Sequence, residues 1–167
     1  MTIETIKQHA LDFMLRHGSH PQVIYVSGTK SDSVLILDDL PEDHLQSRKY
    51  LFLKGVSLAQ SQKLGAAREL FLASEAWVSM EKPGQKKQIA PSKDPKKTEA
   101  LVIYSLDIDS KKQRLFMFAI ERDDQGIARR ITPFHGKQEM QAVSNPFLLT
   151  FLAGYVSVAL ADRDKTF

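Results

Sequence analysis

Residues 69–80 read ELFLASEAWVSM. Alternation places Leu70, Leu72, Ala76 and Val78 on one face, with Phe71, Ala73 and Trp77 on the other. Apolar residues on both faces mark a strand with neighbours on either side. EALVIYSLDI (99–108) and QRLFMFAIE (113–121) are two further strands, joined by the short polar link DSKK. DDQG (123–126) is a turn, and IARRITPF (127–134) reads as a fourth strand. Successive strands with short links predict an antiparallel meander.

Upstream, residues 2–17 read as an amphipathic helix. Thr2 can cap it, Ile3, Ile6, Ala10, Phe13, Met14 and His17 recur at helical spacing, and Gly18 ends it. QVIYVSG and SVLILDD, separated by turn residues, predict a β-hairpin. In DDLPEDHLQ, Asp39 and Glu42 fit a capping box with Pro41 in the first turn. The helix expected from there runs to about Gln62, with Leu45, Phe52, Val56 and Ala59 inward, and Gly55 weakens it by about 1 kcal/mol relative to Ala. A last helix starts at Asn145 as cap and Pro146 as first residue. The fold class is therefore α+β: an antiparallel sheet, made of a strand meander and an N-terminal hairpin, packed by about three helices. Residues 1–167 are expected to form one domain, with 81–98 a basic loop between two strands.

The chain has no cysteine, which excludes disulfides, thiolate catalysis and cysteine-based zinc sites and fits a reducing, cytoplasmic setting. With its acidic residues, helical period and no long apolar block, MTIETIKQHALDFM is not expected to act as a signal peptide. Met140–Ala161 carries no charge over 22 positions, but its polar residues and Pro146 favour a buried core helix over a membrane span. The expectation is a soluble protein with no membrane partner.

Net charge is +3, while Lys82–Lys97 alone carries +5, so the remainder is mildly acidic. Lys82, Lys86, Lys87, Lys93, Lys96 and Lys97 are the candidate anion or nucleic-acid contacts. The segment has neither an aromatic residue nor an arginine, so association with nucleic acid is expected to be weak and non-specific. SGTKS (27–31) lacks the glycine pair and the following helix of a phosphate cradle. The histidines show no metal-ligand spacing, and no Gly-x-Ser-x-Gly elbow is present. No metal or cofactor is expected. Glu75, Asp107, Asp109 and His135 are the candidate catalytic residues, with Arg68, Arg114 or Arg130 as the expected partners of a buried Glu75.

EAWV, a variable stretch, and then PSKDPKKTEALVI resemble a segment of a group of small uncharacterised bacterial and phage proteins. In these a Glu-Ala-Trp strand precedes a Pro-Ser-x-Asp/His-Pro-x-Arg/Lys-x-Glu turn. The resemblance covers Glu75–Ile103 and implies no activity. It implies a structured turn at PSKDPKKTE, where Ser92 and Asp94 can cap and Glu99 can pair with Lys96 or Lys97. These features predict an accessory or interaction domain with a protein partner or a second copy of itself. Nucleic-acid association through the lysine loop is the alternative, and a hydrolase or nuclease with a carboxylate site is the second.

Overall fold

Three helices pack on a seven-stranded, open antiparallel sheet in the computed structural model, which describes residues 1–79, 90, 93–137, 139–140 and 144–163, the last five without side chains. Helix α1 (Ile3–His17) precedes the hairpin β1 (Val23–Gly28) and β2 (Asp32–Ile36), and α2 (His44–Gln60) follows. The meander is β3 (Ala67–Val78), β4 (Thr98–Asp107), β5 (Gln113–Arg122) and β6 (Ala128–Pro133). A 3₁₀ turn (Phe134–Gly136) breaks the outer edge before β7 (Glu139–Met140), and α3 (Pro146–Arg163) closes the order. Strands lie in the order β2-β1-β3-β4-β5-β6, with β7 also on β5. Each strand side therefore has a fixed role, and β3 is interior, as its two apolar faces require.

Odd-numbered residues of β3, β4 and β1 share a face with the even-numbered residues of β5. On this face Val23, Tyr25, Phe71, Ala73, Leu101, Ile103, Phe116 and Phe118 pack under Ile6, Ala10 and Met14 of α1. The opposite face packs Ile24, Val26, Leu70, Leu72 and Leu106 against Leu51 of α2 and Leu148, Phe151 and Tyr155 of α3. No helix among the described residues is long and apolar enough to cross a membrane.

The caps of α1 and α3 follow from sequence. Thr2 accepts from the Thr5 N–H, Gly18 takes φ +76°, and Asn145 accepts from the N–H groups of Phe147 and Leu148. Other expectations need correction. Phe13 and His17 lie beside the α1 core stripe, while Lys7 is buried, its ammonium 2.9 Å from Glu4 and 5.2 Å from the Phe116 ring centre. Helix α2 is capped by Asp43 rather than Asp39, because the Asp43 side chain accepts from the Gln46 N–H at 2.8 Å. Its buried residues are Ser47, Leu51 and Gly55. Leu45 and Phe52, expected inward, are exposed, and Val56 and Ala59 are half-buried.

The rotation of α2 has a specific cause. A Cβ on Gly55 would stand 2.2 Å from the Phe151 carbonyl oxygen, and one on Gly154 would stand 2.0 Å from that of Phe52. The two helices cross backbone on backbone at this glycine pair, so the propensity argument at Gly55 is overruled by tertiary contact. Gly55→Ala and Gly154→Ala are each predicted to lower stability by about 3 kcal/mol, against the roughly 1 kcal/mol gain that helix propensity alone would give. Urea unfolding midpoints check this.

Candidate functional site

Glu75 is the sequence candidate with the most developed surroundings. Cross-strand register sets Glu75 opposite Leu101 and Trp77 opposite Glu99, so the two glutamates are diagonal neighbours on the α1 face. Arg122, at the end of β5, reaches both. Its Nε and Nη2 donate to Glu99 at 2.7 and 2.6 Å, and Nη2 also donates to Glu75 at 3.2 Å. Nη1 donates to the carbonyls of Gly18 and Gly126. All five guanidinium N–H groups are thereby used. The other Glu75 oxygen accepts from the His20 backbone N–H.

Burial raises the Glu75 pKa, only partly offset by the His20 N–H and Arg122. The Arg122 fork holds the Glu99 carboxyl below its ordinary range, and Arg122 itself is raised. Two carboxylates pushed apart in this way resemble an acid–base pair. Their oxygens, however, are taken up by an arginine that cannot give up its proton and by a backbone amide. What this arrangement does is fasten the α1–β1 connection and the β5–β6 turn to the sheet. Arg68, Arg114 and Arg130 are not the partners of Glu75. Arg114 instead bonds Glu69 at 2.8 Å and the Ser105 hydroxyl at 3.3 Å, six residues or about 20 Å along the strand.

Asp107 lies at that far end, opposite Glu69. Its carboxylate accepts from the Ser110 N–H at 2.8 Å, a local turn bond that lowers its pKa. Asp109 is exposed in the same turn. His135 stands at φ +49° in the 3₁₀ turn with its ring edge-on to Phe134. Glu75, the aspartates and His135 thus occupy separate places, and the described residues hold no group of three metal-ligating side chains.

Lys82, Lys86 and Lys87 lie outside the described residues. Lys93, Lys96 and Lys97 are exposed on a built turn, in which the buried Asp94 accepts from the Lys96 N–H at 2.9 Å and from the Ser79 hydroxyl. Glu99 pairs with Arg122 rather than with Lys96 or Lys97. The Lys97 ammonium sits 4.4 Å from the centre of the Trp77 ring, so β3 supplies the aromatic group that the lysine segment lacks.

Sequence reasoning missed one surface. Leu45, Gln46, Arg48, Lys49 and Phe52 of α2 and Thr150 of α3 line a groove of ≈ 490 Å³ on the outside of the helix pair. Leu45 is 77% exposed and Phe52 37%. Leu53, Leu149 and Val156 are exposed on the same two helices. Helix α2 carries Arg48, Lys49 and Lys54 with no acidic residue, and α3 has no charge before Asp162. The groove is thus apolar with a basic rim. Its sequence signal was present: Leu45, Phe52 and Val56 recur at i, i+7 and i+11, an apolar stripe beside Ser47, Leu51 and Gly55. A second groove of ≈ 500 Å³ runs beside α1, lined by His9, Asp12, Phe13, Arg16, His17 and Tyr25. Much of its lining is engaged internally, with Asp12 bonded to Gln8 at 2.8 Å and Phe13 4.3 Å from His17.

Comparison with protein-family models, with curated proteins and with solved structures finds no match for this chain.

The clamp makes a pH prediction with two signs. Glu99 has a lowered native pKa, so its contribution is present above the unfolded value near 4.5 and is lost as pH falls through the native one. Glu75 has a raised native pKa, so the native state gains protons more readily and stability falls as pH rises from about 4.5 through the native value. In urea titrations from about pH 3 to 7, the stability deficit of Glu99→Gln should grow with pH, and that of Glu75→Gln should shrink. Arg122→Ala should cost about 3 kcal/mol at neutral pH, since it leaves two part-buried carboxylates without their partner.

Proposed function

We propose that this chain is an intracellular interaction domain rather than an enzyme, and that it takes a protein partner in the groove between α2 and α3. One observation carries the reading: a leucine 77% exposed and a phenylalanine 37% exposed line an apolar groove with a basic rim. Contiguous exposed apolar surface is characteristic of binding faces, and a groove between two helices fits one face of an amphipathic helix. Arg48 and Lys49 favour acidic residues on the flank of that helix. A second copy seated here would bring like rims together, so the occupant is a different protein.

A photo-cross-linking benzoylphenylalanine placed at position 52 should give a discrete adduct with one protein in cells. The same group at position 8, on the polar side of α1, should not, and Leu45→Glu should abolish the adduct. Equal labelling from both positions, or binding to anionic vesicles with no protein adduct, would count against the reading.

A second reading draws support from Trp77. It is 45% exposed, Lys97 lies over its ring, and Lys93 and Lys96 stand on the same turn. An aromatic face with three cations is the composition of a weak single-strand contact. About three phosphate contacts predict roughly 20-fold weaker binding of a single-stranded oligonucleotide between about 50 and 200 mM salt. Fluorescence anisotropy measures this, and affinity independent of salt would remove the reading.

A further inference from the structure

The two edges of the sheet differ. At the outer edge, β5–β6 pairing is interrupted by a bulge at Glu121/Arg122, Arg129 and Arg130 are exposed, and the edge ends at Pro133 before the 3₁₀ break. Bulges, charges and proline are the devices that prevent strands from pairing edge to edge. The β2 edge has neither bulge nor proline: its register with β1 is regular over Asp32–Ile36, and its single charge, Asp32, is paired with the Met1 ammonium at 2.8 Å. Val34 and Ile36 are 54% and 53% exposed. Among the described residues β2 pairs with β1 only.

The free backbone groups can be assigned. The Leu37 N–H donates to the Gln22 carbonyl at 2.8 Å, and the Gly28 N–H to that of Ser31 at 3.1 Å. With Ile24 opposite Leu35 and Val26 opposite Ser33, the odd residues of β2 exchange bonds with β1. The N–H and C=O groups of Asp32, Val34 and Ile36 therefore point away from the sheet. Their side chains share the α1 face with Tyr25 and Val23.

We propose that β2 pairs with the β2 of a second copy, antiparallel about a two-fold axis at Val34, so that one sheet runs through both molecules. In this register Val34 faces its symmetry mate and Asp32 faces Ile36, all with outward backbone groups. At each end the ammonium of Lys30, whose own N–H is held by the Leu64 carbonyl at 2.9 Å, is the cation nearest the turn carrying Asp38 and Asp39 of the other copy, and all three residues are exposed. Sliding by one repeat in one direction sets Asp32 against Asp38, and in the other sets Lys30 against Ile36. The two-fold register at Val34 alone gives opposite charges at both ends. A second copy is the occupant because the edge complements itself in hydrogen bonding, in β-branched side chains and in charge. This surface is separate from the α2–α3 groove and stands or falls independently of it.

Analytical ultracentrifugation with amide hydrogen exchange tests the pairing. The protein should show a concentration-dependent monomer–dimer equilibrium. The amides of Val34 and Ile36 should become protected as the dimer forms, while those of Ser33 and Leu35 are protected at every concentration. Val34→Pro should be monomeric, since proline there removes an N–H that β1 does not use. Lys30→Glu should weaken association by roughly tenfold, because both end pairs change sign. Combining it with Asp38→Lys should restore association. Should Val34→Pro fail to fold, the charge series decides. A monomer at all concentrations, a dimer with freely exchanging Val34 and Ile36 amides, or a charge swap that fails to restore association would overturn the proposal.

Discussion

The crossing of α2 and α3 at Gly55 and Gly154 is the constraint on which the exposed apolar groove depends. With carbonyls of the facing helix 2.0 and 2.2 Å from where the missing Cβ atoms would stand, only glycine permits the approach. This contact fixes the rotation of α2 about its own axis. Ser47, Leu51 and Gly55 then turn inward, and Leu45 and Phe52 turn out. The exposed groove is thus a consequence of how the core closes. It also explains why α3, apolar almost throughout, leaves Leu149 and Val156 exposed.

The opposite face is organised by charge at its ends and apolar packing in its middle. Along β3 the α1-facing residues read Glu69, Phe71, Ala73 and Glu75. Arg114 holds the first glutamate and Arg122 the last, while Phe71 and Ala73 lie within the α1 core between them. Because each carboxylate is part-buried, leaving it unpaired would cost several kcal/mol, and this fixes which arginine must sit where. Arg122 also gathers the carbonyls of Gly18 and Gly126, so the exit of α1 and the β5–β6 turn share one anchor.

Much of this was legible because it is local. Strand alternation, the hairpin, the Thr2 and Asn145 caps and the Gly18 stop each depend on a few neighbouring residues, and the α+β class followed from them. What was not legible depends on residues far apart. The partner of Glu75 is 47 positions away, reached through two strand pairings, and no spacing rule selects Arg122 over Arg114. Helix α2 has two apolar stripes, and periodicity cannot choose between them when the deciding contact lies on α3. Strand β7 is two residues long and exists only because the 3₁₀ turn returns the chain to β5. The turn at Asp94–Glu99 was readable as a turn, yet its Trp77–Lys97 contact follows from β3–β4 register.

Leu45, 77% exposed, contributes little to the stability of the folded chain, although its position in the apolar pattern marks it for the core. Urea unfolding of Leu45→Gln tests this most directly. The outward stripe predicts a stability within about 0.5 kcal/mol of the parent protein. A loss of about 2 kcal/mol or more, the range for a buried leucine, would contradict it.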